Sequence, residues 1–94
     1  MLFRSETGDK LEQAHCYLHI GRAFTGLGKY WNAKEYAEEG LSIAKEIGDR
    51  ESQVYAFDIL GCVFEWLNDH KKSEEYYKKQ LDISSVTKIG RAHV

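Results

Sequence analysis

The 94-residue sequence contains no proline, one methionine and two cysteines, and its formal charge is only −2. Each shortage excludes something. So little charge, and of the wrong sign, leaves no electrostatic footprint for a phosphate backbone, so nucleic acid is not an expected partner. No apolar run approaches the roughly 18 residues that span a bilayer. Residues 1–9 are too short and polar for a secretory leader. No membrane partner is therefore expected, and the default location is cytoplasmic. Cys16 and Cys62 lie far apart without metal-ligand spacing, and both read as reduced core or near-core residues among apolar neighbours. The chain is one domain at most, so a function needing two domains to close over a substrate lies outside it. Its own core is expected to be thin, because a chain this short buries only about 60 to 65% of its unfolded surface.

What is present is 43% apolar and 30% charged, with the two signs mixed along the chain and no proline to interrupt them, which reads as soluble helices. The sequence also repeats itself. A shift of forty residues brings Gly8-Asp9 onto Gly48-Asp49, Gly21 onto Gly61, Phe24 onto Phe64, Tyr36 onto Tyr76, Leu41 onto Leu81 and Ile43 onto Ile83. Tyr17 and Phe57, Ile20 and Leu60, and Ala33 and Ser73 match by type. A fixed period carried by apolar and small residues marks a stacked repeat.

Each unit reads as a pair of helices. Ala14, Tyr17, Ile20, Gly21, Phe24 and Leu27 follow the three-four spacing of one buried stripe, after a capping-box-like start at Asp9 and before a stop at Gly28. The second helix is expected from about Tyr30 to Ile47, with Ala33, Tyr36, Ala37, Gly40, Leu41 and Ala44 inward and Gly48 left-handed at its end. Asp49 caps the next helix, whose stripe is Tyr55 or Ala56, Ile59, Leu60, Val63, Phe64 and Leu67. After a turn at Asn68-Asp69, a fourth helix starts near His70 with Ser73, Tyr76, Tyr77, Leu81 and Val86 inward. Gly21 and Gly61 sit in mid-helix, where glycine costs roughly 1 kcal/mol against alanine, so close approach of the paired helix is implied.

These readings divide the chain into residues 1–7, the end of a preceding repeat's second helix; residues 8–47 and 48–87, two units; and a tail at residues 88–94 that does not continue the register. Both ends read as cut. The last six residues, Ile-Gly-Arg-Ala-His-Val, are what a common sequencing-library adapter encodes in this frame; the alternative is the first helix of a further unit after a shifted linker.

In this register the sequence resembles the tetratricopeptide repeat, in the forty-residue variety joined by Gly-Asp. Tyr17, Ile20-Gly21, Phe24, Gly28, Tyr30, Ala33 and Leu41 carry the likeness in the first unit; Phe57, Leu60-Gly61, Phe64, Ser73, Tyr77 and Leu81 carry it in the second. The variety is typical of the Leu-Gly-Asn-rich modulators of G-protein signalling and of long animal tetratricopeptide proteins. The resemblance implies an all-α fold of tandem antiparallel helix hairpins, an α-solenoid wound as a right-handed superhelix. It also implies protein–protein interaction rather than catalysis, with no cofactor and no metal. The first helices of successive units would line a concave groove, which places His15, Leu18, His19, Arg22 and Thr25, with Tyr55, Asp58, Ile59, Cys62, Glu65 and Trp66, at the partner-binding positions. Arg22 and Cys62 replace the family's usual Asn after the mid-helix Gly, so an Asn ladder for an extended peptide is in doubt. The matching positions of the chaperone-type carboxylate clamp hold Leu18, Arg22, Asp58 and Cys62, which argues against binding of chaperone C-termini.

Several residues invite sharper readings. Arg22 is suited to a bidentate carboxylate pair and Trp66 to anchoring an apolar side chain, the alternative for Trp66 being packing on a neighbouring repeat. His15 and His19, one helical turn apart, have the spacing of two metal ligands but lack a third, and read as polar groove or surface residues. Cys16 is adjacent to His15 and therefore about 100° away around the helix, too far for a nucleophile pair. The run from Lys71 to Lys79 alternates in sign at helical spacing, pairing Lys71 with Glu75, Glu74 with Lys78 and Glu75 with Lys79 on a solvated convex face. Trp31 is expected between helices, the alternative being a surface-exposed anchor, and Tyr76-Tyr77 in the core rather than at a modification site. The expected function is a scaffold that presents a preformed groove to a peptide or helix of another protein. Two further classes stay open: self-association through exposed repeat ends, and a regulatory region of a larger signalling protein or enzyme.

Overall fold

The computed structural model describes the backbone of residues 2–92 and the side chains of residues 8–83. Four helices follow one another: α1 (Leu2–Gly26), α2 (Tyr30–Ile47), α3 (Arg50–Trp66) and α4 (His70–Ala92). Contacts between α1 and α2 run in opposite directions along the two helices, Lys10 meeting Glu46, Ala14 and Leu18 meeting Gly40, and Gly21 meeting Ala33 and Ala37. The pair is thus an antiparallel hairpin, and α3 and α4 form a second one stacked on it. A single core joins them, built from Leu18, Ala33, Ala37, Leu41, Ala56, Phe57, Ile59, Leu60, Val63 and Phe64.

One turn is used three times. Gly28 and Gly48 are left-handed, with φ of 79° and 71°, and Asn68 takes the same conformation at φ 65°. At each, the left-handed residue's N–H donates three residues back, and the next N–H donates five residues back, to Phe24, Ala44 and Phe64 at 2.9, 2.9 and 2.8 Å. This Schellman pattern satisfies carbonyls that a helix end would otherwise leave open. Asn at the third turn works because its short polar side chain tolerates the left-handed region. The Asp residues that follow two of these turns then cap the next helix: Asp49 accepts from the Ser52 N–H and Asp69 from the Lys72 N–H, both at 3.3 Å.

Within the hairpins the repeat is visible in ring geometry. Tyr36 lies between Tyr17, at 6.0 Å and tilted 34°, and Phe24, stacked at 5.5 Å. Tyr76 lies between Phe57, at 6.1 Å and also tilted 34°, and Phe64, stacked at 5.6 Å. Phe24 and Phe64 therefore occupy equivalent places. The glycines do what their mid-helix positions imply: a Cβ on Gly21 would stand 3.2 Å from the Ala33 carbonyl, and one on Gly61 would stand 2.8 Å from the Tyr77 ring. Ser73 takes the place of Ala33 in the second hairpin and donates its hydroxyl to the Gly61 carbonyl at 2.9 Å, so its burial leaves no polar group unsatisfied. Tyr76 and Tyr77 are half-buried in this packing, and burial pushes both phenols up from their ordinary value.

Several expectations are corrected. The helix start at Asp9 is absent, because α1 runs unbroken through Gly8. Glycine takes the helical conformation as readily as the left-handed one, and Gly8 takes the helical one within α1. Ile20, Leu27 and Leu81, read as inward, are exposed, whereas Leu41 and Leu60 are buried. Ile20 and Leu81 sit on outer faces of α1 and α4, which no other helix covers among the described residues. Cys16 is exposed for the same reason, while Cys62 is half-buried. Trp31 is 65% exposed rather than packed between helices. Among the described residues the expected Lys–Glu pairs of α4 are not formed; Lys72 and Lys79 instead lie 5.3 and 5.2 Å over the Phe64 and Tyr76 rings. Val86 and the tail side chains lie outside the described residues.

Substituting Gly21→Leu forces α1 away from the α2 backbone and is expected to cost about 3 kcal/mol, read as a lower midpoint in thermal melts followed by circular dichroism. At Asn68, a β-branched residue meets the left-handed penalty: Asn68→Val should cost about 1 to 2 kcal/mol, with Asn68→Gly close to the parent in the same melts.

Candidate functional site

Helices α1 and α3 lie side by side and point the same way, so residues recurring at three-four spacing on each form two facing walls. Toward the N-terminal ends, His15 and His19 face Glu51, Ser52 and Tyr55 across a hollow of about 220 Å³. Further along, Arg22, Thr25 and Gly26 face Asp58, Ile59 and Cys62 across a second hollow of about 290 Å³. Tyr55 stands between the two. The His19 ring meets its edge at 5.8 Å, the Arg22 guanidinium lies 5.9 Å from its ring centre, and Arg22 Nη1 donates to its hydroxyl at 3.4 Å.

The walls differ in charge. The α1 side carries His15, His19 and Arg22, and the α3 side carries Glu51, Asp58 and, further on, Glu65. Hydrogen bonding to Tyr55 pushes Arg22 above its already high ordinary value, and the charge of Asp58 adds to this. Arg22 is exposed and forms no ion pair among the described residues, and its one hydrogen bond, to Tyr55, leaves most of its five donors available. Thr25 spends its hydroxyl proton on the Gly21 carbonyl of its own helix at 3.0 Å, leaving its methyl and lone pairs for contact. Burial pushes the Cys62 thiol up, hydrogen bonding from Trp66 opposes this, and Asp58 and Glu65 reinforce it.

Of the expected groove residues, the structure brings together His15, His19, Arg22, Thr25, Tyr55, Asp58 and Cys62. Leu18 is a correction: it is fully buried, its Cδ2 standing 2.7 Å from where a Gly40 side chain would begin, and it belongs to the core. Ile59 touches the second hollow but is nearly buried. Glu65 and Trp66 line neither hollow. Trp66 is 63% exposed and stacks on Tyr30 at 5.9 Å and 3°, bridging the two hairpins at their turn edge. Glu51, Ser52 and Gly26 line the surface without having been expected; Glu51 lies one turn before Tyr55 and Gly26 one turn after Arg22, so the spacing itself points to both. Among the described residues no three His, Cys, Asp or Glu side chains gather as a metal site. No helix among them is long and apolar enough to cross a membrane.

A family model of the tetratricopeptide repeat matches residues 14–47 and 54–87, two stretches that begin forty residues apart. The chain belongs to the tetratricopeptide repeat family, whose repeats generally mediate protein–protein interaction. Searches of curated proteins and of solved structures find no match.

The two thiols should separate in a labelling experiment. With the folded chain and a disulfide reagent at neutral pH, exposed Cys16 is expected to react first, and Cys62, half-buried and with less thiolate, more slowly. Equal rates under native conditions would contradict the partial burial of Cys62.

Proposed function

We propose that the surface between α1 and α3 receives a peptide or helix of another protein, and that Arg22 holds an acidic group of that segment. The observation that carries this reading is the Arg22–Tyr55–His19 cluster. A long flexible side chain is held over an aromatic ring with its remaining donors unused, so less rotamer freedom is lost when a carboxylate arrives. The α3 wall supports it with the opposite sign. A segment carrying acidic groups along one edge and basic groups along the other satisfies both walls and is oriented by them, since reversing its faces sets like charges together. The apolar surface that Tyr55 gives to one hollow and Ile59 and Cys62 give to the other supplies area without a deep pocket, which suits a peptide or helix better than a small metabolite. The reading assigns the chain no reaction.

The test is selection of peptides from a random phage-displayed library on the 94-residue chain, followed by titration of isotope-labelled protein with the recovered peptides. Amide shifts should concentrate at His19, Arg22, Thr25, Tyr55, Asp58 and Cys62. Because a charge-assisted hydrogen bond contributes about 1.5 to 3 kcal/mol, Arg22→Ala should weaken binding at least about tenfold with helix content unchanged. Peptides that map to the convex face of α2 and α4, or that bind Arg22→Ala as well as the parent, would overturn the proposal.

A further inference from the structure

The two hollows of the α1–α3 surface are one pattern written twice, seven residues apart. On α1, His15 and His19 of the first hollow step to Arg22 and Gly26 of the second. On α3, Glu51, Ser52 and Tyr55 step in the same way to Asp58, Ile59 and Cys62. Every residue lining the first hollow thus has its match in the second. Exposure follows the step as well. His15, His19, Arg22, Gly26, Glu51 and Asp58 form exposed rims, Tyr55 and Cys62 are half-buried, and Ser52 and Ile59 are buried beneath them. Each hollow therefore has a nitrogen donor on its α1 rim, a carboxylate on its α3 rim and a covered floor between.

Seven helical residues rise about 10.5 Å and return to within about 20° of the direction from which they started. That interval selects the conformation of whatever fills both hollows. In an extended segment, side chains on one face recur at about 6.6 and 13 Å, so a segment that fills the first hollow meets the second between two residues. A polyproline helix recurs every third residue at about 9.3 Å and falls short. An α-helix laid along the groove matches the interval with residues i and i+7, because it has the same rise and the same phase as the walls. Its flanks then meet opposite charges. Acidic residues belong on the edge toward His15 and Arg22 and basic residues on the edge toward Glu51 and Asp58, each again at i and i+7.

We infer that the partner segment is an amphipathic α-helix that seats two apolar side chains, seven residues apart, in the two hollows, between an acidic edge and a basic edge. The inference rests on the reading that this surface receives a partner, and narrows it: the occupant lies as a third helix beside α1 and α3. Gly26 gives access to the second hollow, since this rim position carries no side chain and nothing lies within 4 Å of where one would begin.

The test uses peptides selected on the 94-residue chain from a random phage-displayed library long enough to span two heptads. Bound peptides are expected to gain helical circular dichroism and to show the sequential amide contacts of a helix in nuclear Overhauser spectra. An alanine scan of each should find its two costliest apolar positions seven apart. Gly26→Leu, which fills the second hollow from an exposed site, should weaken binding at least about tenfold without lowering the melt of the free protein. In that variant, replacing one of the two apolar anchors by alanine should cost far less than it does against the parent. Peptides that occupy the groove in extended form, or with anchors two, three or four residues apart, would overturn the inference and leave the broader reading standing. Equal binding to Gly26→Leu and to the parent would do the same. Selected peptides that shift no groove amides would sink both.

Discussion

Two close approaches, at Gly21 and Gly61, set how near the helices of each hairpin can come. At Gly21 the α2 main chain stands where a side chain would begin, and at Gly61 the Tyr77 ring does. Removing a Cβ there costs helix propensity, but it brings α1 within reach of Ala33 and Ala37 and lets the aromatic trio around Tyr36 close. The same trio recurs around Tyr76. With the spacing fixed at Gly21 and Gly40 in the first hairpin and at Gly61 in the second, the second hairpin can lay its own first helix beside α1, and the paired walls of the candidate site follow from that placement.

The fold was legible because the forty-residue echo is carried by residues whose roles cannot be exchanged. A glycine under backbone, a left-handed turn and an aromatic between two rings each demand a residue type, so repetition of the types announces repetition of the geometry. Orientation at the ends was not legible. Ile20 and Leu60 are indistinguishable as members of an apolar stripe, and only the presence of a neighbour decides which of them is covered. Gly8-Asp9 shows the same limit: it copies Gly48-Asp49 in letters, but glycine permits helix and left-handed turn alike, and α1 continues through it. Asn68 was expected in a turn, yet its left-handed backbone was hidden because nothing in Asn demands that conformation as Gly48 does.

The site was legible to the extent that it follows helix spacing. His15, His19 and Arg22 recur at four and three residues and stand on one wall; Tyr55, Asp58 and Cys62 do the same opposite them. Leu18 fails because the apolar side chain at that position fills space left by Gly40 and turns into the core, whereas its counterpart Asp58 is charged and stays in water. Equivalent positions in a repeat share a backbone environment, but the side chain still chooses between core and solvent. Trp66 shows that choice resolved locally: its ring is taken up by Tyr30, and the large aromatic at the mouth of the groove becomes a bridge between hairpins.

The three left-handed residues, Gly28, Gly48 and Asn68, fall at intervals of twenty. The two inner helices, α2 and α3, are therefore each measured between left-handed stops, and helical phase is reset at each one rather than drifting along the chain. Material added or lost in whole hairpins leaves every later residue facing the way it did before. A single residue inserted between two stops rotates the remainder of that helix by about 100°, and the damage ends at the next stop. Architecture of this kind confines errors to one rod and lets length vary without redesigning what the rods touch.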